Sequence, residues 1–437
     1  MAAVSRAVVV GGSVAGLTAA ACLAEHVDDV VVVERKEPRP DASLAPQGPL
    51  PHVLLLAGLR VLEEVFPGLG DDLRKGGADD GGADPTVLAC HWVAAGRTRD
   101  HAAFPGNSTP AAMGSRALLE SHLRRRVALL PAVTTLRDTA THLAVEHGRV
   151  TGVHLRDGGL LEADLVVDAT GRSAPLVGGS DLPAPPVTEV VVDLRYTGFL
   201  VERRPDDFGS GHLGYVQNTP AIPRLGFALP HEAGAWQIAL GGYFGDQAPA
   251  EPGGAAAFAR TLADQAMVEV VSRPRLGPPS RYTFRSSLRR HWDKVRHPLE
   301  GYWPVGDTVA SFNPIYGQGM SSAALQARAL GDLVGRYGAG PGVAARAARA
   351  TAKVVDNPWL IAVGGDFVYP GTRGHRPAGQ RVVNAYLERV MRAASVDEDV
   401  NGALTAVQNL IAPPSSLFAP RIVTRSLREG RAGSAQR

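Results

Sequence analysis

Ala7-Val8-Val9-Val10-Gly11-Gly12-Ser13-Val14-Ala15-Gly16 decides the fold. The short apolar, β-branched run has the pattern of a strand buried on both faces of a parallel sheet. It runs straight into a glycine-rich turn, and residues 17–24 beyond the turn read as helix. A second valine run at 30–33 ends in Glu34, 18 residues after Gly16. Glycines in such a turn let the backbone approach a pyrophosphate, while the following helix aims its unpaired N–H groups and positive dipole end at the charge. A carboxylate closing the second strand can accept from ribose hydroxyls. Ser13 takes the place of the middle glycine of GxGxxG. The unit predicts a Rossmann-like α/β domain that binds a nucleotide.

Outward from this start, the chain alternates between two patterns. Residues 52–66 are apolar at helical spacing, 115–130 read as a strong helix, and 141–146 with 149–155 bracket His147-Gly148 as a hairpin. Residues 163–167 return to the buried parallel pattern. From 187 to 244 the strands lengthen and fill with Val, Tyr, Phe and Trp, which predicts an antiparallel sheet with one face covered. Residues 74–85 have little to bury and are expected to form a mobile excursion. Residues 303–307 read as a return to the first domain, 321–337 as helix, and 381–394 as an amphipathic helix. The expected division is a discontinuous nucleotide-binding domain (1–75, 106–180, 285–340), a substrate-binding β-sheet domain (76–105, 181–284) and a C-terminal helical segment (341–437).

Composition excludes several classes. Of 437 residues, 45% are apolar and 20% charged, as in soluble globular proteins, and the net charge of +2 leaves no nucleic-acid footprint. No uninterrupted apolar stretch reaches the roughly 18–20 residues of a membrane span. Two cysteines, Cys22 and Cys90, with no His or Cys cluster at metal spacing, predict a reduced, cytoplasmic protein without a disulfide or structural metal.

A second motif lies 290 residues on: Gly306-Asp307, then Phe312-Asn313-Pro314-Ile315-Tyr316-Gly317-Gln318-Gly319-Met320. An aspartate after glycine can bond a ribityl chain, and the Gly317–Met320 turn offers backbone N–H groups where flavin reduction develops negative charge. With the first motif, this phrase resembles the group A flavoprotein monooxygenases of the p-hydroxybenzoate hydroxylase superfamily. Within them it is similar to the branch holding the polyene epoxidases of polyether pathways, as are Asn357-Pro358-Trp359 and Asn384-Ala385-Tyr386-Leu387.

The resemblance implies a glutathione reductase-type FAD domain and assigns roles residue by residue. Gly11, Gly12, Ser13, Ala15, Gly16 and Glu34 would hold the ADP half, with Arg35 beside the adenine. Arg116 would reach FAD from its helix, Gly306-Asp307 would hold ribityl or phosphate, and Gly317, Gln318, Gly319 and Met320 would line the isoalloxazine. Gln47, His52, Pro314 and Tyr316 are flavin-proximal candidates. Asp168-Ala169-Thr170-Gly171-Arg172 lies where many hydroxylases carry an Asp-Gly element associated with FAD and NADPH. Pro49 and Leu50 stand where relatives commonly have an arginine and a histidine, so a cation is missing from that loop.

The activity implied is reduction of FAD by NADPH or NADH, addition of oxygen as a C4a-hydroperoxide, and delivery of one oxygen atom to a lipophilic secondary metabolite. The product would be an epoxide or an alcohol. The substrate would be free or tethered to a carrier protein. Such chemistry asks for a dry apolar pocket rather than a catalytic triad. Tyr196, Phe199, Tyr215, Phe227, Trp236 and Tyr243 lie on the predicted sheet, and half of them are expected to face the substrate. Two alternatives keep the fold: a cyclase in which FAD does no redox work, and a lipid reductase resembling the geranylgeranyl reductases. The second would use Arg421, Arg425, Arg428 and Arg431 at a membrane surface.

Overall fold

The computed structural model describes residues 4–39, 42–178 and 184–432. Its first sheet is wholly parallel, in the order Tyr302–Pro304, Leu165–Asp168, Arg6–Val10, Asp29–Glu34, Val133–Arg137. The valine runs are continuous because both faces are covered. Ala7, Val9, Val30 and Val32 pack with Leu17, Ala20, Ala324 and Ala327 of the helices Val14–Ala24 and Gly319–Tyr337. Val8, Val10, Val31 and Val33 point the other way, against Leu143, Val150 and Val153 of an antiparallel meander, Ala140–Glu146, Arg149–Leu155 and Gly159–Glu162. His147 (φ 50°) and Gly148 (φ 75°) make the expected hairpin turn.

The second sheet has eight strands, in the order Ala310–Ser311, Ser280–Arg290, Val187–Glu202, Ala235–Gly242, Arg224–His231, Gly214–Val216, Val87–Ala94, Arg97–Ala103. All neighbours are antiparallel except Gly214–Val216 beside Val87–Ala94. One face is sealed by the helices Pro252–Ala259 and Ala266–Ser272. The other face looks toward the parallel sheet and the C-terminal helices Val343–Asp366, Gln380–Ala393 and Glu398–Gln408, and a cavity lies between them.

Several expectations are corrected here. The strand Ser280–Arg290 crosses the boundary drawn at 284, because its ladder with Val187–Glu202 continues to Arg290. The helix expected from 52 starts at Leu56, since Leu55 N–H donates to Ser321 Oγ (3.0 Å), its backbone is extended, and residues 51–55 form no regular secondary structure. Residues 74–85 are not a free excursion. Asp79 pairs its backbone with Met113 and accepts from Arg203 Nη1 (2.7 Å) and His212 Nδ1 (2.6 Å), so ion pairs hold a stretch that has little apolar surface to bury.

Two of the C-terminal arginines, Arg421 and Arg425, are also engaged within the chain. Arg421 meets Asp399 at 2.5 Å, and Arg425 meets Asp397 at 2.7 Å and Asp399 at 2.6 Å, all at the acidic start of Glu398–Gln408. The side chain of Arg431 lies outside the described residues. Among the described residues no helix is long and apolar enough to cross a membrane, and Cys22 and Cys90 are both buried free thiols.

Candidate functional site

A single cavity of about 2440 Å³ runs from the glycine turn, past the 312–320 loop, to the aromatic face of the large sheet and the C-terminal helices. At its first end the turn is shaped by two glycines. Gly11 has φ 117°, and a Cβ there would lie 2.5 Å from the Ala169 carbonyl oxygen. A Cβ on Gly16 would lie 1.8 Å from the Gly11 carbonyl oxygen. Gly16 therefore serves the seating of helix on turn and does not line the cavity, whereas Gly11, Gly12, Ser13 and Ala15 do. Glu34 closes the second strand, accepting from Gly12 N–H (2.7 Å) and Lys36 N–H (2.8 Å). Arg35 lines the cavity beside it.

Ser13 occupies the N-cap position of Val14–Ala24 yet does not cap it, and the first turn carries no acid. Its hydroxyl instead donates to Glu120 Oε1 at 2.6 Å. The helix start thus keeps its N–H groups and positive end for an anion in the cavity. Glu120 is fully buried and gathers the end of the site around itself. Arg116 Nε donates to it (2.9 Å) and Arg116 Nη2 to Ser13 Oγ (3.0 Å), Leu44 N–H donates to its other oxygen (2.9 Å), and Arg124 stands 3.6 Å away. Burial would raise its pKa, but the Arg116 charge and these hydrogen bonds hold the carboxyl below the ordinary range. Sequence reading missed Glu120, although a carboxylate four residues from an arginine on either side was the available signal.

The second motif forms the middle of the cavity. Gly306 (φ 64°), Asp307, Pro314, Tyr316, Gly317 (φ 66°), Gln318, Gly319 and Met320 all line it. The helix Gly319–Tyr337 starts there without a side-chain cap, and nothing lies within 4 Å of a Cβ built on Gly319. Gln318 Oε1 is buried with no partner. Burial raises the Asp307 pKa, against the lowering fields of Arg116 and Arg172. Asp168 sits behind the wall rather than in it. It accepts from Thr170 Oγ1 (2.6 Å) and Tyr302 OH (2.7 Å) and so sets the Ala169–Arg172 turn that does line the cavity.

Gln47 and His52 also reach the cavity. His52 Nδ1–H donates to the Leu50 carbonyl at 2.7 Å, and burial, with the nearby Arg116 charge, pulls the imidazole pKa down to about 3. It is a neutral ring with Nε2 left as an acceptor. Pro49 and Leu50 are tied to the large sheet. The Pro49 carbonyl accepts from Gln237 Nε2 (2.9 Å), and Leu50 packs among Tyr196, Tyr215 and Leu225 over Gly198, where a Cβ would lie 2.5 Å from it.

Of the six sheet aromatics, Tyr196, Tyr215 and Phe227 face the cavity. Tyr215 stacks edge-on to Phe227 (5.2 Å) and tilts against Trp92 (5.3 Å). Phe199 and Trp236 do not face it. Phe199 lies three positions from Tyr196, an odd offset, and strand alternation turns Phe199 and the Trp236 side of Ala235–Gly242 into the core under the two small helices. Tyr243 is buried in the wall, where its hydroxyl accepts from Asn313 Nδ2 at 3.0 Å.

These residues fit an FAD: a glycine cradle, an uncapped helix start, a carboxylate at the end of the second strand and an unpartnered buried amide at the second motif. The chain is 32% identical over 413 residues to protein Rv3254 of Mycobacterium tuberculosis, covering 86% of this chain and 84% of that one. It belongs to one family with Rv3254. No family model matches. Among solved structures, the chain superposes on the flavin-dependent brominase Bmp2 with TM-score 0.70 at 14% identity, covering 98% of this chain and 100% of that one. It superposes on 2-methyl-3-hydroxypyridine-5-carboxylic acid oxygenase with TM-score 0.60 at 19% identity (88% and 92%). The Diels-Alderase PyrE3 of pyrroindomycin biosynthesis gives 0.59 at 18% identity (93% and 80%). At these identities the structures establish the shared fold, and chemistry has to be argued from the site.

Proposed function

We propose that the protein is an FAD-dependent monooxygenase that epoxidises or hydroxylates a lipophilic secondary metabolite, with NADPH as electron donor. The observation that carries this reading is the continuity of one cavity from the glycine turn to an aromatic chamber. Its volume of about 2440 Å³ exceeds the roughly 300–1,000 Å³ of a site for one drug-sized ligand, which leaves room for a dinucleotide and a large second molecule. When bound, the flavin supplies hydride acceptance and oxygen activation. The chain's own part is to hold and exclude. The backbone N–H groups of the first helical turn take the pyrophosphate, Glu34 the ribose, Arg35 the adenine side, Asp307 the ribityl chain, and the 317–320 turn the pyrimidine edge. Tyr196, Tyr215 and Phe227 press an apolar substrate toward the 312–317 loop and keep water out. The eight-stranded sheet is the substrate side in this reading, and a free or carrier-tethered lipophile suits it equally.

A second reading has its own observation. With Leu50 packed into the sheet and Pro49 held by Gln237, the loop that carries a cation in relatives is tied to the sheet and has no cation at those two positions. That favours a cyclase that keeps FAD oxidised, and PyrE3 is described as a Diels-Alderase. One experiment separates the two. Anaerobic NADPH titration followed by oxygen, with polyenes and polycyclic aromatics present, bleaches and restores the flavin spectrum if the oxygenase reading holds. Conversion of a lipophile while the flavin stays oxidised overturns it in favour of the cyclase.

A further inference from the structure

Asp366, the last residue of the helix Val343–Asp366, is fully buried and has no cationic partner among the described residues. Its Oδ1 accepts from Asn313 Nδ2 at 2.7 Å and from the hydroxyls of Tyr316 at 3.3 Å and Tyr243 at 3.5 Å, while Oδ2 is buried with no partner. The titratable groups around it are Tyr316 from the 312–317 loop, Tyr243 and Tyr196 from the large sheet, and Tyr369 from the segment after the helix. Burial raises the pKa of all four, so they stay neutral. A carboxylate at a helix C-terminus also opposes the macrodipole. Nothing here stabilises its charge apart from neutral hydrogen bonds, and asparagine would serve the fold better. Burial accordingly lifts its pKa to about 7. The preceding residue makes the contact with Tyr316 possible: a Cβ on Gly365 would lie 2.1 Å from the Tyr316 hydroxyl oxygen. Tyr316 lines the cavity beside Pro314 and Gly317.

We propose that Tyr316 and Asp366 form a proton-donating pair for an oxygen atom of the substrate, with Tyr316 meeting the substrate and Asp366 storing the proton behind it. When Asp366 is neutral its O–H donates to the Tyr316 oxygen and frees the Tyr316 O–H for the cavity. When Asp366 is ionised it captures that O–H and withdraws it. In the step, the Tyr316 O–H bond breaks as a new O–H bond forms on the substrate. Tyr316 regains its proton from Asp366, leaving a carboxylate that solvent later reprotonates. The electron pair of the substrate's C–O bond, or of its C=O π bond, ends on the protonated oxygen, while a nucleophilic hydroxyl or alkene of the same substrate forms the new bond to the carbon that loses the pair and sheds its proton to solvent. The ligand class is a lipophile bearing a carbonyl or an epoxide. Only the epoxide rests on the oxygenase reading, where this pair adds acid-assisted ring opening to oxygen insertion; a carbonyl substrate does not need it.

The test is infrared difference spectroscopy on the protein with its bound flavin, using 2-acetylnaphthalene labelled with ¹³C at the carbonyl as probe. The expected result is a carboxylic-acid band that disappears as pH rises through about 7 and is missing in Asp366→Asn. The probe's carbonyl band should lie at lower frequency below that pH than above it. Tyr316→Phe and Gly365→Ala should abolish the pH-dependent shift, and Asp366→Asn should make the probe band independent of pH. The proposal is overturned if the wild-type acid band is absent, if the bound probe's band does not respond to pH or to Tyr316→Phe, or if the ketone does not bind. A pair that works in a protein whose flavin never reduces would sink the oxygenase reading and leave this one standing.

Discussion

Asp366→Asn should stabilise the protein above neutral pH and do little in acid. The wild-type carboxyl titrates at about 7 in the folded protein and near 3.9 when unfolded, a gap of about 3 units or about 4 kcal/mol as an upper figure. Because the folded pKa is the higher, the folded state keeps a proton that the unfolded state releases. The stability linked to that proton is whole below about pH 4, drains away as pH rises, and is gone above about pH 7. Asparagine keeps an acceptor for Asn313 and removes the charge that opposes the helix dipole. At about 2.1 cal/mol/K per residue, a chain of this size converts 4 kcal/mol into a Tm rise of about 4 °C. The assay is calorimetry of both proteins at matched flavin saturation, since ligand binding shifts Tm by itself. A variant whose Tm relative to wild type is the same at acid and alkaline pH, or is lower at alkaline pH, refutes the reasoning.

Gly16→Ala drives a Cβ to within 1.8 Å of the Gly11 carbonyl and should yield protein without flavin. Gly319→Ala, with open space around it, should stay folded, so the two are compared by bound flavin per chain. Glu120→Ala leaves Arg116 buried without its carboxylate and should cost about 3–5 kcal/mol, read as a Tm loss accompanied by weaker FAD retention. Trp236→Ala empties a fully buried site on the sealed face of the sheet and should cost about 3–5 kcal/mol with little change in lipophile affinity. Tyr215→Ala, on the cavity face, should by contrast weaken lipophile binding in a fluorescence assay.

The parallel sheet was legible because burial on two faces writes continuous valine runs, and the nucleotide turn because each glycine answers a steric demand. The cavity face of the large sheet was not. Period-two alternation tells which side chains share a face, but the bulge between Val191 and Leu194, with Asp193 at φ 42°, shifts the register of the long strand. The helices that decide which face is sealed, Pro252–Ala259 and Ala266–Ser272, left no expectation in the sequence reading. Gly306, Asp307 and 317–320 all line the cavity, and they could be singled out in the sequence because one short segment carries its own turn chemistry. Asp366 stayed invisible for the opposite reason. Its partners lie 50, 53 and 123 residues away, and only the folded chain brings them to one carboxylate. Arg421 and Arg425 looked like a free basic face until Asp397 and Asp399 were seen beside them.

The most direct test of the account is a turnover experiment under ¹⁸O₂. Purified, FAD-saturated protein is mixed with NADPH and a panel of polyenes and polycyclic aromatics, and the products are read by mass spectrometry. The account predicts that one member of the panel speeds NADPH oxidation and gains one labelled oxygen atom. A lipophile converted without label and without NADPH consumption would contradict it.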